Sequence, residues 1–309
     1  MLPATSELRS KAKAFYNALD SDRPINFGLD ELISNEDAEP VAAYVDGIHG
    51  VVLGSDLIME LADQIDFSLS AGAYLFTGNR GTGKTTELMR LATNLENLGC
   101  EVFYVDLSQY LSLTQPIEIT DFLISVLGAL SEKVSARFGV EVGGAGFFAR
   151  AWSFLQSKVE FEEVSLPAGP TELQGALVHA PAVKEELQRR SRAHAHALLE
   201  HAREFVLEVA SLVRERRADR DMKVILIVDS IERLRGVGRT NEIHALLRSA
   251  ERLFSSDADS LRFSGMSVIY TIPPWLPTLA SPLGSFYAAA ASTHCRAFAH
   301  TSRKRDWTT

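Results

Sequence analysis

Three features of the 309-residue sequence predict an α/β protein, a three-layer domain around a parallel sheet with a helical N-terminal segment and a helical insertion. The first is a strand–helix–strand succession between residues 73 and 105, the unit from which parallel sheets are assembled. The second is the run Lys223–Val228, apolar without alternation, as suits a central strand covered on both faces. The third is a series of long helical periodicities between these runs.

Residues 1–50 read as a helical lead, with a helix over Ser6–Leu19, a turn at Asp22-Arg23-Pro24 and an acidic stretch to Pro40. One domain follows over 51–287. Ser55–Ile65 reads as a helix capped by Ser55, with Leu57, Ile58, Leu61 and Ile65 on one face. Ala73–Thr77 is a strand, Lys84–Leu98 a helix ending at Gly99, and Glu101–Val105 a second strand of β-branched and aromatic residues. Ile119–Phe138 is apolar at helical spacing. The character changes over Gly139–Pro181, which reads as a small hairpin or irregular lobe, and Val183–Arg217 reads as one long helix. Together they form the insertion at about 140–220. Asn241–Phe254 is a helix, and Met266–Ile272 is a strand stopped by Pro273-Pro274. The tail, 288–309, shows neither periodicity. A reading frame shifted by one base would allow a glycine-rich loop and a strand there, so the tail reads either as a frameshifted or truncated product or as a disordered basic tail.

Composition narrows the function. A net charge of −9 gives no support to broad contact with nucleic acid or acidic lipid. The two cysteines, Cys100 and Cys295, form neither a metal-ligand spacing nor a disulfide framework, so a cytoplasmic location is expected. No apolar run reaches the roughly 18–20 residues that span a bilayer. On the long helix, His194, His196 and His201 read as polar-face residues, and Trp152 and Trp275 as core or interface.

The chemistry is concentrated in Gly78-Asn79-Arg80-Gly81-Thr82-Gly83-Lys84-Thr85, which fits G-x-x-x-x-G-K-[ST] between a strand and a helix. Glycines let successive backbone N–H groups turn toward phosphate oxygens. The helix N-terminus, with Thr86 in its first turn, adds its positive dipole end. Lys84 brings a full charge to the β- and γ-phosphates, and Thr85 offers a hydroxyl ligand to Mg²⁺. Arg80 faces either phosphate or solvent. Asp229, at the end of the apolar strand, is placed to hold the Mg²⁺ through water, or to cap the segment at Ser230, or both.

These residues resemble the Walker A and Walker B motifs of P-loop NTPases, in the AAA-like and STAND/KAP-like group with an extra strand between the two Walker strands. Val228-Asp229-Ser230-Ile231-Glu232-Arg233-Leu234 is closest to the Asp-x-x-Asp-Arg-Leu pattern of the STAND and KAP branches. The resemblance spans about residues 50–275 and implies a Mg²⁺-dependent ATPase. ATP is favoured over GTP, since no guanine-reading motif is present, with adenine contacts expected from Asp46–Leu53. Ser230 stands where the family carries its water-activating glutamate. Glu232 is the nearest acid, either the catalytic base or a solvated carboxylate. Thr271 fits the family's sensor position near the γ-phosphate, or is an ordinary strand residue. Arg233, Arg235, Arg239, Arg248 and Arg252 are all candidates for a transition-state arginine. The resemblance implies a nucleotide-controlled switch in signalling or defence, with a protein partner or self-association on ATP. A nucleic-acid motor or loader and a hydrolysis-defective nucleotide binder are the alternatives.

Overall fold

The computed structural model describes residues 56–79, 81–142, 146–158, 170–236, 239–280 and 283–293. The N-terminal lead, Ser55, the Asp46–Leu53 segment, Arg80 and 294–309 lie outside the described residues.

The chain is an α/β protein; among the described residues five strands run in the order β2-β3-β4-β1-β5, with all ladders between them parallel. The strands are β1 (Ala73–Gly78), β2 (Glu101–Asp106), β3 (Val224–Asp229), β4 (Ser267–Ile272) and β5 (Ala289–Thr293). Successive side chains of a strand point to opposite faces, and the two cores follow that alternation. Tyr74, Phe76, Val102, Ile225, Ile227 and Ile269 meet one set of helices, while Leu75, Phe103, Val105, Leu226, Val228 and Tyr270 meet the other. That burial on both faces is why β1 to β4 are apolar in their central positions, with polar residues at or near their ends.

The first face is covered by α1 (Leu57–Phe67) and α2 (Lys84–Asn97). They bury Ile58, Leu61, Ala62 and Ile65, and Leu88, Leu91 and Leu95, at helical spacing. Each such Leu or Ile contributes about 1.5–3 kcal/mol relative to exposure, which outweighs any propensity term in a helix this short. Asp56, rather than Ser55, caps α1: its carboxylate accepts from the N–H of Ile58 at 3.0 Å, and it also pairs with Arg90 of α2 at 2.8 Å.

The second face carries α3 (Ile119–Phe138), α4 (Phe147–Lys158), α5 (Pro170–His179), α6 (Pro181–Ser191), α7 (Ala195–Arg217) and α8 (Thr240–Phe254). Two expectations change here. The described part of Gly139–Pro181 is helical rather than an irregular lobe, over Phe147–Lys158 and Pro170–His179, while 143–145 and 159–169, where the hairpin is expected, lie outside the described residues. Phe147, Ala151, Phe154 and Leu155 form a helical stripe, and Gly128 of α3 gives room for Phe148, whose ring would lie 2.3 Å from an added Cβ. The expected single helix over Val183–Arg217 is broken by a 3₁₀ turn at Arg192–His194. The break follows Ser191, buried at 1% exposure, whose hydroxyl turns away to Thr120 of α3 at 3.1 Å.

The tail is also corrected in part. Ala289–Thr293, expected to be irregular, form β5 and complete the ladder beside β1, with Tyr74 opposite Ala289 and Gly78 opposite Thr293. Pairing of that edge is a backbone matter and needs no side-chain pattern. Trp152 and Trp275 are half-buried against the core, and His201 is an exposed neighbour of Glu204, as core and polar-face positions require. No helix among the described residues is long and apolar enough to cross a membrane.

Candidate functional site

The C-terminal ends of β1, β3 and β4 meet the N-terminus of α2, and the sequence-predicted residues gather there. Thr77 fixes the end of β1 by donating to the Ile272 carbonyl of β4 at 3.1 Å. The chain then turns through Gly81 (φ 79°) and Gly83 (φ 77°), left-handed conformations that strain any other residue, although a Cβ added at either position would meet no atom within 4 Å. Gly83 starts α2 without a side-chain cap, and the first intrahelical bond runs from Glu87 N–H to the Gly83 carbonyl at 2.9 Å. The N–H groups of Lys84, Thr85 and Thr86 therefore precede the helical ladder, in the position where helices receive anions.

Lys84 lies across the loop. Its ammonium donates to the Asn79 carbonyl at 2.8 Å and stands 3.7 Å from a Glu232 carboxylate oxygen. Asn79 also receives Thr82, through its hydroxyl at 2.8 Å and its N–H at 3.3 Å, so one carbonyl ties the loop together. Burial pulls the Lys84 ammonium below the usual lysine value, and the charges of Glu232 and Asp229 oppose that shift. Burial likewise pushes the Glu232 carboxyl up, reinforced by Asp229 and opposed by Lys84. Glu232 Oε2 is buried without a hydrogen-bond partner among the described residues. An orphaned carboxylate oxygen beside a half-satisfied ammonium is costly, and persists where a further ligand completes the set.

Asp229 ends β3 at 1% exposure. One oxygen accepts from Ser230 N–H at 2.6 Å; the other accepts the Thr85 hydroxyl at 2.8 Å and the Tyr104 phenol of β2. Asp229 therefore touches both the turn and the loop helix, but it does not cap the 3₁₀ segment, whose N-cap position is Ser230 with no side-chain cap. Ser230 takes a left-handed conformation (φ 73°), which turns the 3₁₀ segment Ile231–Arg233 back over the loop and delivers Glu232 to Lys84. Strain of this kind in a non-glycine residue is held only where the surroundings fix it. Thr271 is part of what fixes it: fully buried, its hydroxyl accepts from Ile231 N–H at 3.1 Å and donates to the Val228 carbonyl at 3.4 Å. Thr271 is therefore brought to the turn rather than to the loop.

Gly78, Asn79, Gly81–Thr86, Asp229 and Glu232 are assembled into one site. Among the candidate arginines, Arg233 is exposed and its charge is felt at Lys84; Arg235, Arg239, Arg248 and Arg252 are also exposed. Tyr104 was not anticipated. Its only mark in the sequence is an aromatic residue near the end of a strand, and that reads equally as β propensity.

The Thr85 hydroxyl and the Asp229 carboxylate are hard oxygen donors, suited to Mg²⁺, which keeps much of its water and takes one or two protein ligands beside phosphate oxygens. Among the described residues no group of three or more His, Cys, Asp or Glu is placed to hold a metal ion by itself. No protein-family model matches the chain, and no curated protein matches it.

Proposed function

We propose that this chain is an ATP-binding P-loop NTPase, a Mg²⁺-dependent ATPase whose nucleotide state sets the conformation of the turn after β3. The observation that carries the reading is the 2.8 Å contact of the Thr85 hydroxyl, on the loop helix, with the Asp229 carboxylate, 144 residues later. It joins two motifs that are recognisable separately in the sequence. The strand order supports the reading too, since β4 lies between the strand before the loop and the strand bearing Asp229.

In this reading the loop N–H groups and Lys84 hold the β- and γ-phosphates, and Thr85 and Asp229 would hold the Mg²⁺, which would supply positive charge against the developing negative charge. The polyphosphate competes for Lys84, so binding separates Lys84 from Glu232. Glu232, with Oε1 released from Lys84 and Oε2 unpartnered, then accepts a proton from the attacking water as the water oxygen bonds to the γ-phosphorus and the bond from that phosphorus to the β–γ bridging oxygen breaks. The displaced Glu232 moves the Ser230–Arg235 turn. Arg235 N–H is bonded to the Leu113 carbonyl at 3.2 Å, and the N–H of the adjacent Ser112 to the Leu177 carbonyl of α5 at 3.1 Å. That connection supports a switch in which the insertion passes the state to a protein partner or a second copy.

Phosphate release with wild type and Glu232→Gln tests the catalytic half. Turnover in the wild type and retained ATP binding without turnover in the variant are expected; equal turnover removes Glu232 as base. Stimulation of turnover by DNA, falling with salt, would favour the motor or loader instead.

A further inference from the structure

Tyr104 lies on the α2 side of the sheet, two residues before the end of β2. In the β2–β3 register it stands opposite Ile227, and Asp106 stands opposite Asp229. Two carboxylates thus end neighbouring strands on the same face, and a donor between them has two acceptors to choose from. Asp106 is already engaged, since its Oδ1 accepts from Ser108 N–H at 3.0 Å and from the Ser108 hydroxyl at 2.7 Å. The Tyr104 phenol donates instead to Asp229 Oδ2, the oxygen that also accepts from Thr85. Reaching it from position 104 means spanning two residues of strand, about 6.6 Å, which a phenol does and a serine or threonine hydroxyl does not.

Asp229 is consequently pinned from three directions: by Ser230 N–H on one oxygen, and by α2 and β2 on the other. Loss of the phenol would leave Oδ2 with a single donor, on a carboxylate that is almost completely buried. A ligand carboxylate is oriented by such outer contacts, and their removal typically costs about 10- to 100-fold in metal affinity.

We propose that Tyr104 is a positioning residue of the cation site, holding Asp229 Oδ2 toward Thr85 and so setting how much Mg²⁺ the protein needs to bind nucleotide tightly. This rests on the reading of Thr85 and Asp229 as the cation's ligands. The test titrates Mg²⁺ into the full chain with a fluorescent ATP analogue, for wild type, Tyr104→Phe and Lys84→Ala. Tyr104→Phe keeps the ring and is expected to bind the analogue in EDTA within twofold of wild type. It should need about tenfold more Mg²⁺ to reach half of the Mg²⁺-dependent gain. An unchanged Mg²⁺ midpoint, with or without a drop in thermal stability, overturns the role of Tyr104 alone. A wild type indifferent to Mg²⁺, with Lys84→Ala binding just as well, overturns the underlying site reading with it.

Discussion

Two buried lysine–carboxylate pairs among the described residues are built differently. Lys184 of α6 and Asp121 of α3 meet at 3.2 Å, with side chains 1% and 0% exposed. Every group there has a partner: Asp121 also accepts from Gln188 at 2.8 Å and from Glu118 N–H at 2.7 Å, and Lys184 donates to the Ser112 carbonyl at 3.4 Å. Lys84 and Glu232 are 3.7 Å apart, and one oxygen of Glu232 has no partner among the described residues. A satisfied pair is a clamp between helices. An incomplete one marks a place whose polar groups are meant for something else.

The sharpest way to break this contrast is to remove each lysine. Lys184→Ala leaves a fully buried Asp121 carboxyl without its cation, so that it must stay uncompensated or take up a proton, and should cost about 3–5 kcal/mol in urea unfolding. Replacing both Lys184 and Asp121 by apolar residues should cost less than the single change, a coupling that a double-mutant cycle reads directly. Equal costs for the single and double variants would mean that the pair is not the clamp described. Next in size is the loop: Gly83→Ala forces a side chain into φ 77° and should cost about 1–2 kcal/mol in stability while weakening nucleotide binding. Asp56→Ala, remote from both pairs, should cost about 1 kcal/mol through its lost cap, with nucleotide binding unchanged.

Acid titration sharpens the same comparison with the smallest expected effect. Burial raises the folded-state pKa of Glu232 above its ordinary value of 4.5. Between that ordinary value and the raised one, the unfolded chain is ionised while the folded chain keeps its proton, so stability falls as pH rises through this window. In nucleotide-free protein, Glu232→Gln should abolish that fall, seen as a melting temperature that declines less than the wild type's above pH 4.5.

How far the sequence foretells this depends on the range of each interaction. The loop is legible because its chemistry is local: glycine, lysine and threonine spacing alone defines it. Asp229 is legible as the polar end of an apolar run. Their meeting is foreseeable only through the resemblance. Tyr104 is not legible, because its partner is 125 residues away and depends on β2 lying beside β3. Lys184 sits in a helix with charged neighbours, where solvent exposure is the natural reading, and Asp121 sits in the first turn of an apolar helix, where an acid reads as a capping partner, so neither shows the buried pair. The 3₁₀ break at Arg192 is set by Ser191 turning to another helix, which no periodicity reports. Strand β5 has alanines where strands usually carry bulk, and forms because β1 offers an open ladder.

In the proposed function, Lys84 and the loop around it hold a polyphosphate. Equilibrium binding of ATP with Mg²⁺ to wild type and Lys84→Ala, with melting temperatures recorded alongside, tests it most directly. Tight binding by the wild type, and a loss of about tenfold or more in a variant that melts at nearly the same temperature, is predicted for a lysine whose partner is the ligand. Binding of equal strength in the two proteins, or none in the wild type, would contradict the account.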